Sequence, residues 1–331
     1  MKRYQLFLLF TCIPALLFSQ SADFVPTGKP FATIFANFHQ GITGSAKGEA
    51  AFELVRGYIG YEYNLSPEFY AKINVDVGSP NDLSPYSKAR RYAYFKNAYL
   101  RYMQKNLTID FGLIDMRQFK LQEAVWERRY LMKTLADEYQ LGQSADLGMN
   151  INYKFTSWLD ADFSVSNGEG YGSIQMDDIF KYSIGPTITL PKNFTSRIFY
   201  EFTKKEITET TLTLFTSYDY KKIWNIAGEM VYRKNDKWKE NQDIFGWSVY
   251  AKYNLTKKSQ LFGRYDRVTS NILEGEINPW NLAKDGTALV AGIQFQPVSK
   301  IKMALNYHDW YPLAANMEGG GFIYFDVEVK L

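Results

Sequence analysis

Apolar and polar residues alternate along most of the chain after residue 31. The clearest run is 68–77, and similar runs cover 143–155 and 286–296. In the first run, one set of alternating positions is wholly apolar: Phe69, Ala71, Ile73, Val75 and Val77. Successive side chains of a β-strand point to opposite sides, so this period of two predicts strands and does not fit helices, whose period is about 3.6 residues.

Sixteen such runs predict sixteen strands. They lie at 31–40, 50–63, 68–78, 91–104, 107–115, 143–155, 158–167, 178–190, 194–204, 208–220, 223–233, 242–254, 258–268, 286–296, 300–310 and 321–331. A strand of a soluble protein is usually about 5–6 residues long. A strand tilted through a bilayer needs about 9–11 residues. The lengths therefore favour strands that cross a membrane.

The connections between these strands alternate in length. Short turns are expected at 64–67, 105–106, 156–157, 191–193, 221–222, 255–257 and 297–299. Most of the other links are long, including 41–49, 79–90, 116–142, 168–177, 269–285 and 311–320. This arrangement predicts an all-β fold, a closed antiparallel transmembrane β-barrel with short periplasmic turns and long extracellular loops. An even number of strands returns both termini to the periplasmic side.

Aromatic residues are abundant: 25 Tyr, 24 Phe and 7 Trp make up 17% of the 331 residues. Many lie near the ends of predicted strands, as in the pairs Tyr61 and Tyr63, Tyr92 and Tyr94, Tyr218 and Tyr220, and Trp247 and Tyr250. Aromatic belts at the two water–lipid boundaries would account for them. The alternative is the aromatic core of a soluble sandwich, which does not predict long strands and alternating loop lengths.

The first residues predict export. Lys2 and Arg3 precede an apolar run at 4–18, which is too short for a membrane-spanning helix of about 20 residues. We therefore predict a signal peptide at 1–19 and an outer-membrane barrel domain at 20–331, in a Gram-negative bacterium. The single cysteine, Cys12, excludes a disulfide scaffold and a cysteine-based metal cluster, and we predict no cofactor and no metal site.

The distribution of charge along the chain and the pattern of the last predicted strand indicate which partners the protein binds. The 38 basic and 35 acidic residues are interspersed, so the chain has no nucleic-acid footprint. The expected partners are outer-membrane lipid and small hydrophilic solutes or inorganic ions. The alternating segment 321–331 resembles the C-terminal strand that barrel-assembly machinery recognises, although it ends in Leu331 where such strands usually end in an aromatic residue.

Sixteen closed strands leave a water-filled lumen, so a pore is the default function. The polar half of each strand places these charged residues on the inner face: Arg56, Lys72, Arg101, Lys154, Arg197, Lys252, Arg264 and Lys302, with Asp76, Asp110, Asp146, Asp160, Asp162, Glu201, Glu229 and Asp266. Eight basic and eight acidic residues balance, and this face indicates no ion preference.

The 116–142 loop is the most informative connection. Large apolar residues alternate in it with these charged residues: Arg117, Lys120, Glu123, Glu127, Arg128, Arg129 and Lys133. Its composition favours a helix, and we predict that it folds into the channel and that these charges set the field at a constriction. The alternatives are a disordered or mobile extracellular loop and a solvated surface helix that selects nothing.

Five segments together resemble a known family. They are RGYIGYEYNLSP at 56–67, AKINVDVG at 71–78, SADLG at 144–148, NGEGY at 167–171 and GRYDRV at 263–268. In this order along most of the chain they look like Bacteroidota-type outer-membrane porins of the phosphate-selective porin O and P family. The resemblance implies a porin barrel, commonly a homotrimer, that passes small solutes by diffusion and in some members selects anions such as phosphate.

Within the 116–142 loop, Arg128 and Arg129 are the best anion-binding candidates, because paired guanidinium groups suit oxyanions. Glu123 and Glu127 can instead neutralise them. The sequence leaves open a substrate-specific binding channel.

A barrel hydrolase is the other alternative. The two histidines are His39 and His308, and Asp309 beside His308 would face the opposite way on a strand. Asp160 and Asp162 share a face at a spacing that suits acid–base chemistry or a cation. Polar lumen lining is the commoner role for such residues, so we predict a channel and no enzymatic activity.

Overall fold

The sixteen predicted strands are present and close into one antiparallel barrel. The computed structural model describes residues 24–78, 92–191 and 193–331. The strands are β1 Thr27–Gly44, β2 Ala50–Asn64, β3 Phe69–Gly78, β4 Tyr92–Gln104, β5 Leu107–Asp115, β6 Ala145–Lys154, β7 Leu159–Ser166, β8 Lys181–Leu190, β9 Phe194–Lys204, β10 Thr208–Tyr220, β11 Trp224–Lys234, β12 Ile244–Asn254, β13 Ser259–Ser270, β14 Gly286–Val298, β15 Ile301–Pro312 and β16 Gly320–Lys330. Each strand pairs with its neighbours in the chain, and β1 pairs with β16. The predicted fold class is confirmed.

The barrel is closed by a long β1–β16 ladder. It runs from the pair Thr33 and Lys330 to the pair Gly44 and Gly320. Gly44 has a φ of 55°, and a Cβ there would lie 1.9 Å from the backbone oxygen of Gly319. Only glycine fits this close approach at the end of the ladder. Strand β1 is longer than the predicted 31–40, because its first residues continue to pair with β2 as far as Asn64.

The outer face of the barrel is apolar and the inner face is polar, as the alternation predicts. Ile73 and Leu147 are 44% and 45% exposed on the outside. On β3, Asn74 and Asp76 alternate with Ile73 and are buried on the inside. A row of apolar side chains facing outward from every strand is the surface that a lipid bilayer covers.

A charge on this outer face is expected to destabilise the barrel. Leu214 lies in the middle of β10 and is 42% exposed, whereas its neighbour Phe215 is buried on the inside. We expect Leu214→Arg to lower the free energy of unfolding in lipid by about 2–4 kcal/mol, because the guanidinium would lie in hydrocarbon. Leu214→Met is the matched control and should cost less than about 1.5 kcal/mol. Denaturant titration in vesicles measures both, and equal costs would contradict a lipid-facing position.

Part of the predicted aromatic belt is wrong. Tyr61, Tyr220 and Trp247 lie on the outer face, but Tyr94 lines a cavity inside the barrel. Tyr250 is also inside, and it is buried. Trp247 and Tyr250 are an odd number of residues apart, so a regular strand must point them to opposite faces.

Several predicted segments fall wholly or partly outside the described residues. They are the signal peptide at 1–19, the first residues of the barrel domain at 20–331, the long loop at 79–90, the first residue of the strand at 91–104 and the centre of the turn at 191–193. In the residues that the structure does describe, no helix combines the length and the apolar character needed to cross a membrane.

The inside of the barrel is occupied by the connection between β5 and β6. It contains helix α1, Arg117–Trp126, and the short helix α2, Leu135–Glu138. Its apolar side chains join inward-facing wall residues in two buried clusters, for example Leu135 with Val231 and Trp126 with Phe215. The packed core of this molecule is therefore the contact between a loop and the inner wall.

Candidate functional site

The 116–142 loop enters the lumen directly from the end of the β5–β6 ladder. The backbone N–H of Met116 donates to the carbonyl of Ser144 over 3.0 Å, and α1 begins at the next residue. Helix α1 ends at Trp126 and is followed by Glu127, whose φ of 59° is left-handed. This turn reverses the chain within the lumen.

Trp126 fixes the end of α1 to the wall. Its ring centre lies 5.3 Å from that of Tyr250 and 6.2 Å from that of Phe262, both in edge-on contacts. Its indole N–H donates to the carbonyl of Met132 over 2.8 Å. The side chain is 1% exposed. Trp126 therefore holds the loop to β12 and β13 and also closes the turn of the loop itself.

Polar contacts tie the loop to the same side of the barrel. The Tyr130 hydroxyl lies 3.0 Å from Oε1 of Gln294 on β14. Glu127 pairs with Lys252 on β12 over 2.7 Å. Lys302 on β15 donates to the carbonyl of Glu127 over 2.9 Å. Because these partners come from three separate strands, the loop has one defined position in the lumen.

The start of α1 faces the other side of the barrel. Arg117 donates to Oδ1 of Asn150 over 3.3 Å and lies 3.7 Å from Asp110. Lys120 pairs with Asp115 over 3.0 Å and with Glu123 over 3.6 Å. Burial lowers the pKa of Lys120, but Asp115 and then Glu123 outweigh it, and the net pKa is raised. Lys120 is therefore a neutralised cation.

Arg128 and Arg129 bind different partners and do not form one guanidinium pair. Arg128 donates to Oε1 of Gln260 over 2.5 Å and stacks at 4.6 Å on the Phe262 ring, so it points into the wall. Arg129 pairs with Glu123 and Asp137. Burial raises the pKa of Asp137, but Arg129 and Lys133 lower it more, and the net pKa is lowered. The joint oxyanion site expected from the sequence has no geometric support here.

Most of the predicted lumen-lining charges have ion-pair or hydrogen-bond partners. The ion pairs are Arg56 with Asp76 at 3.4 Å, Lys72 with Glu62 at 3.8 Å, Arg101 with Asp110 at 2.5 Å, Arg197 with Asp162 at 2.7 Å and Arg264 with Asp266 at 2.6 Å. Asp146 accepts from the backbone N–H groups of Gly168 and Gly170, and Asp160 accepts from Asn152. Most of these side chains are therefore neutralised by a partner or hydrogen-bonded to the wall, and they do not present a free charge to the lumen.

Lys96 is a lumen residue that the sequence prediction did not include. The β3–β4 register pairs Val75 with Phe95 and Asn74 with Asn97, so Lys96 is the extra residue of a β-bulge. It is 6% exposed. A regular strand that points Arg101 inward would point Lys96 into lipid. A lysine on the lipid-facing side of a predicted strand is therefore the feature of the sequence that could have indicated the bulge.

The Lys96 ammonium lies between two tyrosine rings. Its nitrogen is 5.2 Å from the ring centre of Tyr58 on β2 and 5.4 Å from that of Tyr171. Among the described residues it has no carboxylate within ion-pair distance, whereas Arg56 and Arg129 nearby are both paired. Lys96 therefore has no ion-pair partner among the described residues, and Asp137 and Glu123 of the loop act on its charge only from beyond ion-pair distance.

A cavity of about 1030 Å³ lies at the extracellular end of the lumen. Its wall includes Tyr94 on β4 and Arg233 on β11, which are seven positions apart in the sixteen-strand ring and so nearly opposite. Arg129 and Lys133 of the 116–142 loop also line it. The cavity therefore reaches across the barrel mouth and is bounded by the folded loop.

The two histidines both face the lumen beside Tyr324. The His39 ring lies 5.5 Å from it and the His308 ring 4.7 Å. Asp309 accepts from Tyr307 and not from His308. The nearest described carboxylate to His39 is Glu53 at 3.7 Å. Within the described chain no group of three or more His, Cys, Asp or Glu side chains is placed to hold a metal ion.

Comparison with solved structures places this barrel among porin folds. It is similar to the anion-selective porin from Comamonas acidovorans, with a TM-score of 0.67 and 9% identity over 93% of this chain and 100% of that one. It is also similar to OprB of Pseudomonas putida, with a TM-score of 0.67 and 7% identity over 92% and 94%. OmpF of Salmonella typhi, solved with daunomycin, gives 0.65 and 10% over 92% and 97%.

The TM-scores show a shared fold, and the identities of 7–10% show nothing beyond the fold. No protein-family model matches the chain, and no curated protein matches it. The porin O and P family suggested by the sequence motifs stays a prediction.

Proposed function

We propose that this protein is an outer-membrane porin, a passive channel for small hydrophilic solutes and ions. Three features support this: a closed barrel with an apolar exterior, a polar inner wall, and a long loop anchored inside the lumen. The fold shared with the anion-selective porin and OmpF agrees with it. The signal peptide, the homotrimer and assembly through the C-terminal strand stay predictions.

We further propose that the channel prefers anions, and Lys96 is the observation that carries this proposal. Wall charges such as Arg56 and Arg101 have carboxylate partners, so their fields largely cancel. The ammonium of Lys96 has two aromatic rings as neighbours and no described ion-pair partner, and Arg129, Asp137 and Glu123 of the loop act on it electrostatically. A unit charge about 5 Å from a passing ion changes the free energy of that ion by about 3 kcal/mol at an effective dielectric constant of about 20. One cation without an ion pair can therefore shift the preference of a lumen in which Glu229 on the inner wall is an acidic residue that also has no ion pair among the described residues.

Replacing Lys96 tests the preference. In a planar bilayer with a potassium chloride gradient, we expect the wild-type reversal potential to indicate chloride over potassium. Lys96→Gln should lower the permeability ratio several-fold, and Lys96→Arg should retain it, because the positive charge is kept. Salt screening reduces the effect, so the gradient is made at low ionic strength.

Lys154→Gln is the matched control. Lys154 is on the inner face at the periplasmic end of β6 and is exposed, so its loss should change the ratio little. A cation-selective wild type, or an unchanged ratio in Lys96→Gln, would contradict the anion preference. The porin proposal itself requires a steady ohmic current, whatever its selectivity.

The hydrolase alternative has less support. His39 has Glu53 nearby, but no hydrogen bond in the described residues joins its ring to a serine or threonine hydroxyl. Asp162 is held by Arg197 and Asp160 by Asn152. The absence of enzymatic activity stays a prediction.

A further inference from the structure

The extracellular cavity is richer in basic than in acidic side chains. Its basic lining residues are Arg56, Arg129, Lys133, Lys181, Lys205, Arg233 and Lys237, against Asp137, Glu169, Asp177 and Glu209. Most of these basic groups have carboxylate partners, as Lys205 has in Asp177 at 2.9 Å. In the described part of the chain, the ammonium groups of Lys133 and Lys237 form no ion pair. The lining carboxylates Glu169 and Glu209 form no ion pair there either, so Lys133 and Lys237 are cations left free to hold an anion and not a net charge of the lining.

A third ammonium group joins them. Lys284, in the loop between β13 and β14, donates to Oε1 of Gln140 over 2.6 Å, and Gln140 lines the cavity. Burial and then the charge of Lys237 lower the pKa of Lys284, with further lowering from Lys133. Three lysines from three different loops thus act on one another by charge repulsion, which Asp236 partly opposes at Lys284. Such repulsion is relieved when an anion binds between them.

A tryptophan adjoins this group of lysines in the sequence and lines the same cavity. Trp238 follows Lys237, and Lys205 lies 3.6 Å over its ring centre. We name Lys133, Lys237, Lys284 and Trp238 the mouth cluster. Tyr92, Tyr94 and Tyr171 also line the cavity, and the last two are in ring contact at 5.5 Å. The cavity therefore offers aromatic surfaces together with positive charge.

The backbone holds Lys237 and Trp238 in an unfavourable conformation. Their φ values are 55° and 57°, in the left-handed region that non-glycine residues rarely adopt. The backbone N–H of Lys237 donates to Oε2 of Glu209 over 2.6 Å, and Arg233 lies 3.3 Å from Asp236 in the same turn. A strained turn kept in place by such contacts is typical of a segment that presents side chains for binding.

We propose that the mouth cluster binds organic anions that carry a carboxylate on a flat aromatic ring, and concentrates them at the channel entrance. The ammonium groups hold the carboxylate, and the aromatic lining packs against the ring. The proposal rests on the proposed channel function, because the cavity lies on the solute path.

Current block by benzoate tests this inference on the full wild-type channel. Sodium benzoate, added on the side of the long loops, should reduce the chloride current in a saturable way. Acetate has the charge without the ring, and benzamide has the ring without the charge. Each should need a roughly tenfold higher concentration for the same block, because each keeps only half of the contacts.

Variants locate the site. Lys133→Gln with Lys237→Gln, and separately Trp238→Ala, should each raise the half-blocking benzoate concentration roughly tenfold. Lys239→Gln is the matched control, because Lys239 is exposed in the same loop but does not line the cavity. Wild-type conductance without benzoate shows that a variant has folded.

The outcomes separate the two proposals. An anion-selective channel that benzoate does not block would overturn the mouth cluster and leave the proposed function standing. Equal block by acetate and benzoate would overturn the role of the aromatic ring, and so would a Trp238→Ala channel that benzoate blocks as strongly as wild type. Unchanged block in the double lysine variant would overturn the role of the lysines. A protein that gives no ohmic current would instead overturn the porin proposal.

Discussion

Removal of the folded loop is expected to raise the single-channel conductance on the order of two- to four-fold, because pore conductance rises with the open cross-section. The change is replacement of residues 117–141 by a short Gly-Ser linker. Met116 and Ser144 are already joined by a backbone hydrogen bond of 3.0 Å, so a short linker spans the gap without opening the β5–β6 ladder. Planar-bilayer recording measures the effect.

The barrel should survive this deletion. The loop takes with it both sides of its internal ion pairs, such as Arg129 with Glu123. Wall residues that lose a loop partner, such as Lys252 and Lys302, become solvated by the water that fills the lumen. Their charges are then no longer buried, and the large penalty for an unpaired buried charge does not arise.

Shortening another loop is the control for this deletion. Residues 274–278, between β13 and β14, are exposed. Their removal should leave the conductance unchanged. If the 117–141 deletion also leaves it unchanged, the loop does not limit the current, and the predicted constriction is wrong.

The alternation of apolar and polar residues predicted most of the fold, because each barrel strand contacts lipid on one face and water or the loop on the other. The rows containing Ile73 and Leu147 show this directly. The ends of the strands were predicted less accurately. The start of β1, with Gly28 and Pro30, does not alternate cleanly, and only pairing with β2 makes it a strand.

The site was less predictable than the fold, for two physical reasons. A one-residue bulge changes the face of every side chain on one side of it, and Lys96 enters the lumen for that reason. The loop contacts join residues far apart in the chain, as Arg128 to Gln260 does. The charges of the loop could be read from the sequence, but which of them cancel depends on those distant partners.

The second large effect is expected from Trp126→Ala. Trp126 is buried against Tyr250 and Phe262, and its indole N–H closes the turn of the loop. Truncation of a buried aromatic side chain typically costs about 3–5 kcal/mol. Here the lost free energy weakens the docking of the loop on the wall and not the barrel itself, because residue 126 is not part of a strand. The loop should then leave the wall part of the time.

Single-channel recording distinguishes a docked loop from a released one. We expect the Trp126→Ala current to switch between the wild-type level and a level close to that of the 117–141 deletion. Trp126→Phe should switch less, because it keeps a ring against Tyr250 but loses the hydrogen bond to Met132. Phe111→Ala removes a similar apolar volume from the outer face, where Phe111 is 57% exposed, and should give a steady wild-type current. A steady wild-type level in Trp126→Ala would mean that the polar contacts of Glu127 and Tyr130 are enough to hold the loop.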